Sequence, residues 1–302
     1  DTIIYSGTTH PEFAAYRLGR DYVSPFKDFR FRHPDTRWYN IASRTGAKVY
    51  FRKNAPQILD FFTRLAADRL RRGKRVLFIA KKDFLALCKT GLEERFSELD
   101  MGNIQVVSDD LDASVIQDLD ILPLINYGVI GINLFEGFDC AYCLTGYYVP
   151  EQVVSSVLQD TLGSDLEVPI KLAIKGQPPR RYASVNDPRH RNTDVNGMAQ
   201  YALENHEIGT VVQAVGRVRP YTKPREVITF QCGALSHMEY TREFAGIAEA
   251  RAYFGIESRR AESLSDRQYE IRRAKQNNLT QIEAARELGV SLRTVKRYWT
   301  YH

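Results

Sequence analysis

Arg75-Val76-Leu77-Phe78-Ile79-Ala80 is a run whose apolar centre suits a β-strand buried on both faces. Helical patterns flank it. On its N-terminal side Ile58, Phe61, Phe62 and Leu65 recur on one helix face, Asn54 can cap that helix, and Gly73 can close it. On its C-terminal side a second helix spans about Asp83 to Phe96, and Ile104 to Val107 is the next strand. Val129-Ile130-Gly131-Ile132, Cys143-Leu144-Thr145 and Val227-Ile228-Thr229-Phe230 read as further strands, as do Lys48-Val49-Tyr50-Phe51 and the short run Ile3-Ile4-Tyr5. Residues 11–47 show no clear period, and Thr241 to Tyr253 reads as helical. Strands alternating with helices imply a parallel sheet in an α/β layer fold.

Residues 163–196 break this rhythm with Pro169, Pro178, Pro179 and Pro188 and with Arg180, Arg181, Arg189 and Arg191. The segment reads as a basic insertion running over the surface, either as a loop without a partner or as a contact for one. Glu257 to Asp266 is polar and charged, as a linker would be.

The length of 302 residues suggests two domains. Hydrophobic residues make up 43%, which excludes a disordered chain. No run reaches the ~18 apolar residues of a membrane span, so no membrane contact is expected. No secretory signal is visible. Four cysteines fit a reducing, cytoplasmic setting. Cys140 and Cys143 form a CxxC, open to a zinc half-site or a redox pair. With no second CxxC nearby, the buried-strand reading is stronger and no metal is expected on this chain. Residues 1–170 carry 20 Lys/Arg against 23 Asp/Glu, and residues 171–302 carry 22 against 14. A basic C-terminal half points to a polyanionic partner.

Val211-Val212-Gln213-Ala214-Val215-Gly216-Arg217-Val218-Arg219-Pro220 is the most informative stretch of the α/β part. Guanidinium donors clustered at a turn match polyphosphate oxygens and can stabilise charge at a leaving phosphoryl group. Gly216 allows close backbone approach.

In their order along the chain, four segments resemble the second RecA-like domain of superfamily two helicases. Ser6-Gly7-Thr8-Thr9 is similar to the Ser-Ala-Thr motif that closes the first RecA-like domain. Val76 to Ala80 is similar to the strand of the fourth motif, and Glu136-Gly137-Phe138-Asp139 to the fifth, where a Gly-x-Asp follows a strand. Gln213 to Arg219 resembles the sixth, Gln-x-x-Gly-Arg-x-x-Arg. There are departures. The family's last arginine falls where this chain has Pro220, with Arg219 one position early. Ile132 and Asn133 stand where the fifth motif has Thr or Ser. No Gly-x-x-x-x-Gly-Lys-Ser/Thr phosphate loop occurs in the 302 residues.

The resemblance implies ATP between two RecA-like domains. A first domain, mostly upstream of Asp1, would supply the phosphate loop and the Mg ligands. Gln213, Arg217 and Arg219 would reach the phosphates, Gly137 and Asp139 the ribose side, and Ser6, Thr8 and Thr9 would couple the domains. It also implies boundaries: residues 1–10 end the first domain, 11–256 form the second, and 257–302 hold the linker and a terminal module.

That module runs from Leu279 to Trp299. Gln281, Ala285, Gly289 and Val295 stand at positions one, five, nine and fifteen of a helix-turn-helix register. Ala285 would be small where the helices cross, and Gly289 would take the turn. Thr280 and Ser291 can cap the two helices, while Ala284, Leu288, Val290, Val295 and Tyr298 supply a buried face. Ser291, Arg293, Lys296 and Arg297 are then left exposed to meet phosphates and base edges. The pattern resembles the helix-turn-helix of many bacterial and phage DNA-binding proteins. The expected function is the C-terminal part of an ATP-dependent DNA helicase or translocase, with RNA as another possible substrate. The alternative is a DNA-binding regulator whose RecA-like domain is degenerate.

Overall fold

The computed structural model describes residues 15, 18–19, 33–109, 111–129, 133–163, 167–191, 193–232, 240–256, 270–271, 273–275 and 279–299. The strand expected at Ile3 to Tyr5, the segment Ser6 to Thr9 and the linker expected at Glu257 to Asp266 lie outside these residues. The chain divides into two compact units, Asp1–Ala250 and Arg251–His302.

In the first unit β1 (Arg37–Ile41) precedes α1 (Lys48–Arg71), β2 (Val76–Ala80) and α2 (Leu85–Glu98). Three strands follow, β3 (Gln105–Val107), β4 (Ile121–Asn126) and β5 (Cys140–Cys143), then α3 (Glu151–Leu162). After a hairpin of β6 (Ile170–Lys175) and β7 (Arg180–Val185) come α4 (Thr193–Val215), β8 (Glu226–Thr229) and β9 (Arg242–Phe244), and α5 (Ile247–Phe254) runs across the division between the units. Seven strands make one sheet in the order β3-β4-β2-β5-β8-β1-β9. Every neighbouring pair in it runs parallel. This is the α/β layer arrangement that the strand–helix alternation implies.

All five residues of β2 are buried. Strand alternation explains how. Leu77 and Ile79, with Ala141 and Cys143 of β5, face Ile208, Val211, Val212 and Val215 of α4. Phe78 faces the other way, toward Tyr142 of β5 (centroids 6.3 Å apart), which meets Phe62 of α1 at 5.8 Å. At β2 and β5, α4 thus covers one face and α1 the other. The same alternation sends Cys140 and Cys143, three residues apart, to opposite faces, so the CxxC spacing brings no pair of thiols together. Burial pushes both thiols up to about 12.

The structure departs from the sequence reading at several elements. Lys48 to Phe51 is the first turn of α1, not a strand. Phe51 is fully buried at 4.7 Å from Phe84 and keeps helical phase with Ala55, Ile58, Leu59 and Phe62. Val49 and Tyr50, which lend the run its β propensity, are exposed. Asn54 is therefore inside the helix, where its Nδ2 donates to the Tyr50 carbonyl at 2.8 Å. Gly73 does close α1, at φ +71°. The strand expected at Val129 is not one at that residue, and Ile130 to Ile132 lie outside the described residues. β4 runs earlier, at Ile121–Asn126, and holds Pro123 inside the sheet, paired with Val107. A proline argues against a central strand, which hid β4 from the sequence reading. β1 escaped detection within an aperiodic region, and β9 occupies the start of the segment read as helix.

Residues 163–196 are not an irregular insertion. The prolines punctuate a hairpin: Pro169 precedes β6, Pro178 and Pro179 sit in its turn, and Pro188 opens a 3-10 turn capped by Asp187. Ile170, Ala183 and Val185 pack on Val195, Met198, Ala199 and Ala202 of α4 and on Val154 and Leu158 of α3, forming a second small core. Two of its arginines are tied inward. Arg180 pairs with Glu243 at 2.7 Å, and Arg181 lies over the Tyr148 ring and pairs with Glu207 at 3.2 Å.

Glu207 stands on α4 where the two cores meet, between Leu203 of one and Ile208 of the other. Its carboxylate accepts the Val149 amide at 2.8 Å. Desolvation pushes this carboxyl up to about 7, against the pull of Arg181, the Val149 amide and Lys81. The folded state therefore holds the proton more tightly than the unfolded chain does. The contribution is complete below the ordinary carboxylate range and is lost as pH rises through about 7. Glu207→Gln keeps an acceptor for Val149 and removes the charge. In urea unfolding the variant should gain on the parent by on the order of 2 kcal/mol between about pH 5 and about pH 8. A difference that stays constant over that range would exclude the protonation account.

Candidate functional site

The Val211–Pro220 stretch begins on α4. Val211, Val212, Ala214 and Val215 are buried against the sheet, which leaves Gln213 on the exposed side of the helix's last turn. The helix tightens into a 3-10 turn at Gly216–Val218 and stops at Arg219, whose φ of 57° is left-handed. A non-glycine residue there is uncommon and costs about 1 kcal/mol. Three backbone bonds hold it: Arg219 N to Gly216 O at 3.0 Å, and Thr222 N and Lys223 N to Arg219 O at 3.2 and 3.1 Å. Pro220, which cannot continue a helix, follows.

This turn lies against the segment that leads into β5. Arg217 Nη2 donates to the Val129 carbonyl at 2.8 Å, and Arg219 Nη2 to Asn133 Oδ1 at 3.1 Å. Lys223 pairs with Glu136 at 3.0 Å. Burial lowers the pKa of Arg217, and the charge of Arg219 lowers it further.

Phe135 and Phe138 anchor the loop in the core, ring to ring at 5.5 Å, and leave Glu136 and Gly137 exposed. The Arg75 guanidinium covers the Phe138 ring at 4.0 Å. Asp139 is occupied within the fold. Its Oδ2 accepts the Arg75 amide at 3.0 Å, its Oδ1 pairs with Lys74 at 3.2 Å, and its carbonyl accepts the Glu226 amide at 3.0 Å. The Glu136–Asp139 loop and the Gly216–Arg219 turn therefore meet at the amino ends of β5 and β8.

Sequence reasoning missed the residue that joins them. Arg225 Nε donates to Val218 O at 2.7 Å and its Nη2 to Glu136 O at 2.8 Å. One guanidinium fork thus ties the arginine turn to the acidic-Gly loop, and its own amide is held by Thr36 Oγ1 at 3.1 Å. An arginine ahead of a strand carries no periodic signal, so nothing in one dimension marks it. Ser6, Thr8 and Thr9 lie outside the described residues.

In the second unit α6 (Gln281–Glu287) and α7 (Leu292–Trp299) flank a tight connection. Thr280 and Glu283 form a reciprocal capping box, and Ser291 Oγ accepts the Thr294 amide at 3.2 Å. Gly289 turns the chain at φ +61°, and Val290 N returns to Ala285 O at 3.0 Å. Ala284 and Val295 are fully buried with Ile271. The small residue fully buried in this core is Ala284, while Ala285 is only half-buried. Ser291, Arg293, Lys296 and Arg297 are all exposed, on the side away from Val295.

Among the described residues no cluster of metal-ligating side chains occurs, and no helix is long and apolar enough to cross a membrane. No family model, curated protein or solved structure matches the chain.

Arg225→Lys keeps the charge and loses the fork. Amide hydrogen exchange should speed up at residues 216–219 and 136–138 while β2 and β5 stay protected. Unchanged exchange in both segments would show that the loop and turn hold without the fork.

Proposed function

We propose that this chain is the C-terminal part of a nucleic-acid-dependent ATPase of the superfamily two helicase type. Its sheet unit is a RecA-like domain, and its terminal helix pair is a helix-turn-helix that docks on DNA. The observation that carries the reading is the juxtaposition of the Glu136–Asp139 loop with the Gln213–Arg219 turn at the amino ends of adjacent strands. Arg219, Lys223 and Arg225 gather around the Glu136 carboxylate and Arg217 lies beside Arg219, while the Asp139 carboxylate is taken up by Arg75 and Lys74. That balance suits a polyphosphate.

ATP, bound with Mg by a phosphate loop on another domain, supplies the free energy of phosphoryl transfer. Arg217 and Arg219 present guanidinium donors to the phosphate oxygens and stabilise the charge that develops there. Gln213 stands one helical turn before Arg217 and is exposed toward an incoming group. Arg225 keeps the turn in place. The carboxylate of Asp139 is engaged by Arg75 and Lys74, so any ribose contact falls to its exposed neighbours Glu136 and Gly137.

The engaged Asp139 and the Pro220 in place of an arginine favour a second reading, a DNA-binding regulator with a non-catalytic RecA-like domain. Turnover separates the two. In the protein complete with its phosphate loop, Arg217→Ala should lower DNA-stimulated ATP hydrolysis by ~10³-fold. Turnover that survives both this change and Arg219→Ala would leave the regulator.

The exposed cations of α7 give an independent test. Replacing Arg293, Lys296 and Arg297 by alanine touches no buried residue, so helical content should hold. Duplex DNA affinity should fall, and the slope of log affinity against log salt should flatten by roughly 3 units. Unchanged affinity in the folded triple variant would make the pair a protein-docking hairpin.

A further inference from the structure

The β6–β7 hairpin has an unused outer face. Its register sets Lys171 opposite Ser184, Ala173 opposite Tyr182, and Lys175 opposite Arg180. Side chains alternate along each strand, and the inner set, Ile170, Ala183 and Val185, is buried in the second core. The outer set is therefore Lys171, Ala173 and Lys175 on β6 with Tyr182 and Ser184 on β7; Arg180 shares their phase but is drawn to Glu243. Lys171 and Lys175 are exposed, and neither side chain makes a hydrogen bond or ion pair with another described residue. Tyr182 is 46% exposed. Arg44 adds a further cation at the β6 edge, where its Nη2 donates to the Ile174 carbonyl at 2.9 Å. Three of the described acids nearby are engaged: Glu243 with Arg180, Glu151 with the Leu172 amide, and Glu204 with the Gln200 side-chain amide.

The spacing gives this face a preference. The two lysines are four residues apart, roughly 13 Å along the strand. Tyr182, paired with Ala173, stands midway between them. An aromatic ring between two exposed cations on a two-stranded ribbon can stack a base while neighbouring phosphates reach the lysines. A duplex keeps its bases stacked on one another and offers none to the ring. An acidic protein surface would use the lysines and leave the ring unexplained.

We propose that the outer face of the β6–β7 hairpin is a binding surface for single-stranded DNA, with Tyr182 stacking a base and Lys171 and Lys175 holding the backbone. The choice of DNA among polyanions rests on the function proposed above; the surface itself does not depend on the arginine turn or on the terminal helices.

The test uses the full chain with Arg293, Lys296 and Arg297 replaced by alanine, so that the terminal helices contribute nothing. Binding of a fluorescent oligothymidylate is followed by anisotropy at several salt concentrations, with a duplex of equal length alongside. Tyr182→Ala should weaken oligothymidylate binding by roughly tenfold and leave the duplex unchanged, while Tyr182→Phe should behave as the parent. Replacing Lys171 and Lys175 together by alanine should flatten the salt slope by roughly 1.4 units. All three positions are on the solvent side, so circular dichroism and thermal midpoint should not move. If Tyr182→Ala proves unfolded, the lysine pair decides alone. Three results would each overturn the proposal: no oligothymidylate binding by the starting chain, unchanged affinity in the folded variants, or equal losses on single strand and duplex. Failure here with a working terminal helix pair would discard the hairpin surface only.

Discussion

At Asp139 the entries of three parallel strands are joined. Its carboxylate takes the Arg75 amide ahead of β2, its own amide returns to the Arg75 carbonyl, and its carbonyl takes the Glu226 amide that opens β8. Asp139 itself leads into β5. Parallel strands have no tight hairpin to set their relative register, so the register must be fixed by contacts of this kind. Glu226 extends the joint, pairing with Arg69 of α1 at 2.9 Å and accepting from the Tyr142 hydroxyl. The sheet, the helix above it and the loop carrying Glu136 and Gly137 thus share one polar joint at the amino ends of the strands.

The opposite end of the sheet is closed differently. Asn40, fully buried, donates to Gln231 O and Glu243 and accepts from Thr229 and the Gln231 amide. Every hydrogen-bonding site of its amide is used, as burial demands. Gln231 in turn holds both backbone groups of Tyr147. Arg180 joins this network through Glu243, and Arg181 reaches Val149 and Glu207. The hairpin is fastened over the carboxyl ends of the strands by these polar bonds.

α4 connects the two ends. Its first half packs in the small core under the hairpin, its second half packs on the sheet, and its last residue leads into the arginine turn. A single rigid element therefore carries both the Glu207 seam and the Arg217 turn. Arg219 holds a left-handed conformation at the end of this helix, a cost that the surrounding backbone bonds impose.

The sequence alone determined what depends on neighbours along the chain. β2, the stop at Gly73, the caps at Thr280 and Ser291 and the turn at Gly289 were legible, because apolar runs, hydroxyl caps and left-handed glycines act within a few residues. So was the placing of Arg217 and Arg219 at a turn, with Gln213 ahead of it on the helix. Tertiary structure decided the rest. Lys48 to Phe51 has strand-like composition, yet Phe51 is drawn against Phe84 and the segment joins α1. Burial of Leu122, Leu124 and Ile125 draws β4 into the sheet despite Pro123. The prolines of 163–196 look irregular in one dimension and prove to frame a hairpin once its inner face meets α4. Arg225 was invisible, since its two acceptors, Val218 O and Glu136 O, come from separate parts of the chain. Burial and long-range hydrogen bonds are properties of the assembled chain, so local pattern cannot report them.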